Sequence, residues 1–229
     1  MPSPEVLCSI GTGSRAMKTD DLIEMLAAAQ QRQPRRVPWA AIPAGAVAGL
    51  ATACLLVAAM LGIRPDLVAS LTDPAVLLKF GLGVLVLFAA GVAARGLSVP
   101  GKDWRGAGFV LLLVFVAVAC WALVDLTSRP TSEWAPCIAG RDWLTCLVTV
   151  PLLALPTMLA MAIGMRRLAP TRLDVAGTML GLASGGAAAV AFTLYCQDDA
   201  VPFVAVWYGL ALVIAALLGR VLGPKLLRW

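Results

Sequence analysis

Six stretches of this chain, each long and nearly free of charge, decide what it can fold into. They lie near residues 38–62, 75–94, 106–124, 144–164, 175–195 and 203–222, bounded by polar or Pro/Gly-rich sequence. As a helix, such a run covers the roughly 30 Å hydrocarbon core of a bilayer. Inside lipid every backbone N–H and C=O must be paired within the segment, which selects helices. Hydrophobic residues make up 60% of the 229 and charged ones 14%, more apolar surface than one water-soluble core could hide. The expected fold class is therefore all-α: a polytopic membrane protein with six transmembrane helices in one bundle and no second folded domain. The first apolar run begins near Val37, after a polar stretch, so helix one is expected to be retained rather than cleaved as a signal.

Charge sets the expected orientation. With the N-terminus placed in the cytoplasm, 14 of the 18 basic residues fall on inner segments, and only Arg64, Lys79, Arg129 and Arg141 fall outside. That asymmetry satisfies the positive-inside rule and puts both termini in the cytoplasm. The net charge of +5 is explained this way, because the basic residues sit at helix ends rather than on one face that could bind nucleic acid directly. Trp39, Trp104, Trp134, Trp143 and Trp207 fall near the expected interfaces with water, whereas Trp121 and Trp229 do not.

The N-terminal region reads in two parts. Residues 1–16 are rich in Ser, Gly and Pro without periodicity, and Met17 followed by Lys18 looks like an alternative start. Residues 17–36 form a cytoplasmic amphipathic segment, ahead of a transmembrane domain over 37–229. Asp20 or Asp21 can cap a helix, Glu24 completes a capping box with Asp21, and Leu22, Ile23, Leu26 and Ala29 share a face. A helix of about three turns is marginal alone. Its apolar face requires a second surface, either a protein groove or the lipid headgroups near Arg32, Arg35 and Arg36.

Within the spans, Gly177, Gly181 and Gly185 repeat every fourth residue, as do Ala41, Gly45, Gly49 and Ala53. Such stripes let another helix approach closely. Pro43, Pro151 and Pro156 mark expected kinks. No internal repeat suggests the inverted halves of a transporter. Lys79 is the one clearly ionisable side chain inside a span, within about a turn and a half of the outer end, where it can snorkel to water.

The chain contains no His, which removes the commonest general base and metal ligand. No Gly-rich phosphate cradle lies in the inner loops. The chain reads as a non-enzyme with no constitutive cofactor. A small transporter or channel is the alternative reading, but it requires a polar pathway that six apolar spans do not supply.

The cysteines carry more information. Cys8 lies in the leader and Cys54 mid-span, where a thiol acts as a small hydrophobe. Cys137 lies in the outer loop between helices three and four, Cys146 opens helix four, and Cys196 closes helix five just before Gln197, Asp198 and Asp199. Helices four and five share a short inner loop, so Cys146 and Cys196 should emerge at the same depth on the outer face. Thiolates beside carboxylates suit a heavy-metal ion arriving as a signal, with Cys146 and Cys196 as ligands and Asp198 and Asp199 beside them. The same pair suits a disulfide in an oxidising compartment.

Taken together, "MKTDDLIEMLA" from Met17, Cys146 at the head of helix four, "RRLAPTRLDVAGTMLGLASGG" after it, "LYCQDDAVPFVAVWYGLA" around Cys196 and the closing "GPKLLRW" resemble the membrane anti-sigma factors of proteobacteria related to the negative regulator of sigma factor F. The resemblance covers Met17 to Trp229. It implies six helices in the bacterial inner membrane, an inhibitory hold on an extracytoplasmic-function sigma factor, and release under heavy-metal or oxidative stress. It also implies that the family's paired outer cysteines are Cys146 and Cys196, and that Leu22, Ile23 and Leu26 contact the sigma factor rather than lipid. Cys137 departs from that pattern.

Overall fold

The computed structural model describes residues 41–70, 72–97, 105–166 and 172–227, together with Thr19, Ile23, Glu24, Met25 and Ala28. The chain divides into two units, Met1–Arg36 and Val37–Trp229. In the first, the described residues are helical and exposed. Leu22 and Leu26 lie outside the described residues, as do Trp39 and Trp104.

The second unit is all-helical among the described residues. Its elements are α1 (Ala41–Met60), the short α2 (Leu67–Ser70), α3 (Pro74–Leu97), α4 (Arg105–Thr127), a 3₁₀ turn (Thr131–Glu133), α5 (Trp134–Ala139), α6 (Trp143–Arg166), α7 (Leu173–Phe192) and α8 (Val201–Leu227). Six of these are long and apolar enough to cross a membrane, with α5 and α6 forming one crossing segment. They alternate in direction. The segments before α3, α6 and α8 therefore gather at one end, the cysteine end, and the last turns of α3 and α6 and the starts of α4 and α7, with Arg95, Arg166, Arg105 and Arg172, gather at the other, the basic end.

α7 occupies the centre, packed against α8, α3, α6 and α1. Every residue from Leu180 to Thr193 is buried. Small side chains make this possible: a Cβ added at Gly177 would lie 2.8 Å from Gly223 Cα, and one at Gly181 2.8 Å from Gly219 Cα. The glycine stripe read from the sequence is thus the contact face toward α8, whose own Gly219 and Gly223 answer it. A second face, one step round the helix, sets Gly186 against Gly83 and Leu87 of α3. The stripe on α1 does the same against α6, where Gly45 meets Ala160 and Gly49 meets Thr157.

α4 lies at the edge, packed chiefly along α3 and the first turns of α8. Phe109, Leu112, Leu113, Val116, Trp121, Leu123 and Val124 are exposed, as lipid-facing residues of a span should be. The prolines occupy two kinds of position. Pro43 is the third residue of α1, where the first N–H groups have no partner within the helix, so it removes no bond. α6 remains one helix through Pro151 and Pro156.

α8 contains one irregular turn, the π-helical stretch Val204–Tyr208. Such a turn holds one residue more than an α-helical turn and often sits beside a functional site. Here it ends at Tyr208, fully buried with its ring 6.1 Å from Phe192 and 6.5 Å from Phe203.

Candidate functional site

The cysteine end is built around the frayed terminus of α7. After Phe192 the chain continues in turns, and a helix C-terminus leaves carbonyls without partners and a negative dipole end. Those carbonyls are met by cationic residues. The backbone N–H of Arg64 donates to Leu194 O at 2.9 Å. The Cys196 carbonyl accepts from Arg64 Nη1 at 3.2 Å and from Lys79 Nζ at 3.1 Å.

Asp199 completes this arrangement. Its Oδ1 lies 2.7 Å from Lys79 Nζ, and its two oxygens accept from both terminal nitrogens of Arg64 at 3.3 and 3.1 Å. Arg64 also forms two 2.9 Å hydrogen bonds to Asp66, holding that exposed carboxyl down at about 2. Lys79 is fully buried, with Nζ 5.7 Å from the centre of the Tyr208 ring. The snorkelling expected for Lys79 is therefore corrected: its ammonium turns inward because Asp199 and the Cys196 carbonyl offer it partners. Removing one member of such a buried pair costs on the order of 3–5 kcal/mol, since the other is left charged and unpaired.

Asp198 performs a different task. Its Oδ2 accepts from the backbone N–H of Arg141 and of Asp142, each at 2.7 Å. A carboxylate thereby caps the N-terminus of α6 from a distant turn, where the helix dipole favours negative charge. The approach depends on Gly140, whose φ of +59° suits glycine and whose Cβ would stand 2.7 Å from Asp198 Oδ2. Trp207 Nε1 donates to Ile138 O at 2.7 Å, and its ring lies 4.9 Å from that of Trp143, so an aromatic pair also closes this corner.

Cys146 and Cys196 are both fully buried free thiols in the same apolar cluster as Phe192, Phe203 and Tyr208. Each lies within electrostatic reach of Lys79, Asp142 and Asp198, and Cys146 lies within reach of Cys196 as well. Burial pushes the Cys196 thiol up, opposed by Lys79 and by the Asp198 backbone. The ligand atoms that converge are those of Cys196, Asp142 and Asp198, all within 4.8 Å of one another. One sulfur and two carboxylate oxygens form a donor set for a borderline or soft divalent cation, provided the thiol loses its proton.

Four site residues escaped sequence reading, Arg64, Asp142, Thr193 and Tyr208, and for Lys79 the partners were missed. The Tyr208 hydroxyl is buried beside Thr193 and Cys196 without a hydrogen bond of normal geometry. For Lys79 a signal existed, since a lone cation in an apolar span needs an acid and Asp199 lies at matching depth. Cys137, in α5, is half-buried, and Cys120 faces outward from α4.

The sequence matches, over residues 26–229, the family described as "Negative regulator of sigma F". It is 34% identical over 225 residues to the probable anti-sigma-F factor NrsF of Azospira oryzae, covering 93% of this chain and 100% of that one. It is 34% identical over 215 residues to the anti-sigma-F factor NrsF of Caulobacter vibrioides, with the same two coverages. No solved structure matches the chain.

Proposed function

This chain belongs to the family of negative regulators of sigma F, and from that premise we propose how it performs an anti-sigma role. It holds an extracytoplasmic-function sigma factor at the bacterial inner membrane through residues 19–36, with Leu22, Ile23 and Leu26 as the apolar contact. Both termini are cytoplasmic and the cysteine end faces the periplasm. A heavy-metal ion or an oxidant acting on Cys146 and Cys196 releases the sigma factor.

One observation carries this reading: two buried thiols lie in a charged network that ties together four segments, at the opposite end of the bundle from the basic turns. A thiophilic cation would displace the Cys196 proton and draw on Asp142 and Asp198. An oxidant would join the two sulfurs, taking two electrons as two protons leave. Either event changes charge and geometry in the turn held by Arg64, Lys79 and Asp199. A signal must favour one of two arrangements to shift them, and a turn held by named partners has a second arrangement available once those partners part.

The test is transcription from sigma-dependent promoters, with and without Cd²⁺ or diamide. Cys146→Ser and Cys196→Ser should insert normally and lose most of the response; an unaltered response in both singles and the double variant rules the pair out. Leu22→Asp with Leu26→Asp should release the sigma factor from membranes and raise unstressed transcription about tenfold or more. Retention and repression equal to wild type would remove this segment as the tether. Alkaline phosphatase fused after Asp199 should be active and after Arg172 inactive; the reverse would invert the sidedness.

A further inference from the structure

We propose that Lys79 is the positioning residue through which α3 reads the state of the Cys196 turn. This rests on the reading of Cys196 as part of the sensor. Lys79 is the sixth residue of α3 and is fully buried, and its ammonium spans two atoms of one turn: the carbonyl of Cys196 itself and the carboxylate of Asp199 three residues on. Arg64, from the segment joining α1 to α3, grips the same carbonyl and the same carboxylate. The Cys196 turn therefore reaches α3 along two routes, one through the backbone between Arg64 and Pro74 and one directly at Lys79.

The direct route is the sensitive one. A buried ammonium has few substitutes for a lost partner, so the Lys79–Asp199 contact is either made or broken rather than gradually loosened. A change at the Cys196 sulfur moves the carbonyl of the same residue, and that carbonyl is a ligand of Lys79 Nζ. Below Lys79, α3 runs unbroken to Leu97 and packs along α7 through Gly83 and Gly186. Displacing its upper turn therefore shifts a rigid rod whose other end is at the basic end.

The experiment uses the full chain in membranes and compares Lys79→Met, Lys79→Arg and the charge-neutral pair Lys79→Met with Asp199→Asn. Three quantities are read: unstressed and induced transcription, the amount inserted, and the rate at which Cys196 reacts with a maleimide in a background where Cys8, Cys54, Cys120, Cys137 and Cys146 are Ser. Lys79→Met should raise unstressed transcription at least tenfold and speed alkylation of Cys196 by a similar factor, while Lys79→Arg retains both repression and induction. The neutral pair, which leaves no unpaired charge, should insert normally yet lose at least four-fifths of the induction. Wild-type induction in the inserted neutral pair overturns the proposal, as does wild-type transcription in inserted Lys79→Met even where alkylation quickens. Failure of the sensor reading is separate and visible: Cys196→Ser would then respond normally, whatever Lys79 variants do.

Discussion

α4 and α7 are similar as strings of letters: each is a run charged only near its ends and long enough to cross a bilayer, and each continues into a polar turn at the cysteine end. Their places in the molecule are opposite. α7 is enclosed by four helices and every residue of its last three turns is buried, whereas α4 touches the bundle along one side and turns its large side chains outward. The difference lies in side-chain size. From Ala183 to Phe192, α7 is Gly, Ala and Ser except for Val190 and Phe192, so neighbours close on it from several directions. The Phe, Leu, Val and Trp of α4 hold neighbours at a distance and suit lipid. In water, burial follows hydrophobicity; in a bilayer, where lipid is as apolar as leucine, it follows the closeness of approach.

Matched substitutions can break that comparison, and the largest effect should come from glycine. Gly181→Leu drives a side chain into Ala215 and Gly219 of α8 and should cost about 3 kcal/mol, read as a lower unfolding midpoint in detergent and reduced insertion. Gly106→Leu on α4, where a Cβ meets nothing within 4 Å, should change neither. Equal losses would mean that small residues do not place α7 at the centre.

A smaller effect separates the turns that follow the two helices. The turn after α7 is tied to distant segments, so Asp198→Ala removes the cap on α6 and should cost about 1–2 kcal/mol. The turn after α4 is held by Arg129 reaching back four residues to Asp125 at 3.1 Å, a half-exposed pair within one turn, of the kind that contributes little. Asp125→Asn should leave the midpoint unchanged, and thermal melts of the two variants decide the point.

The smallest expected effect is kinetic. Because burial raises the Cys196 thiol and thiolate is the reacting form, alkylation should still be accelerating above about pH 8.5, where an ordinary thiol is half ionised. Half-buried Cys137, in α5, should label first at neutral pH. A Cys196 profile that levels off at or below that pH would show the thiol to be more solvated than the structure has it.

The six spans were legible in the sequence because length and hydropathy are local properties, and the glycine stripe was legible because a period of four is visible without knowing the partner. Which helix answers the stripe was not, since Gly219 and Gly223 stand alone as unremarkable residues of α8. At the cysteine end, Cys146 and Cys196 were placed near each other from the topology, and the two buried thiols lie within electrostatic reach of each other. The partners of Lys79 were missed because snorkelling and ion pairing read alike until Asp199 is seen folding back over the end of α3. Asp198 was read as a neighbour of the thiols, and its carboxylate does lie beside the Cys196 sulfur; that it also caps α6 was not foreseen. The trans cap has no sequence signature, because donor and acceptor are 56 residues apart.

The extra residue in the π-turn at Val204–Tyr208 acts as a phase setting for the last helix. An α-helix advances about 100° per residue, so deleting one residue from that turn would rotate everything on one side of it by more than a quarter of a circle relative to the other. Tyr208 could then face Phe192 and Lys79, or Gly219 and Gly223 could face α7, but not both. The two halves of the protein's closing helix, one serving the charged cluster and the other the packed interior, are compatible only because the chain winds once out of step between them.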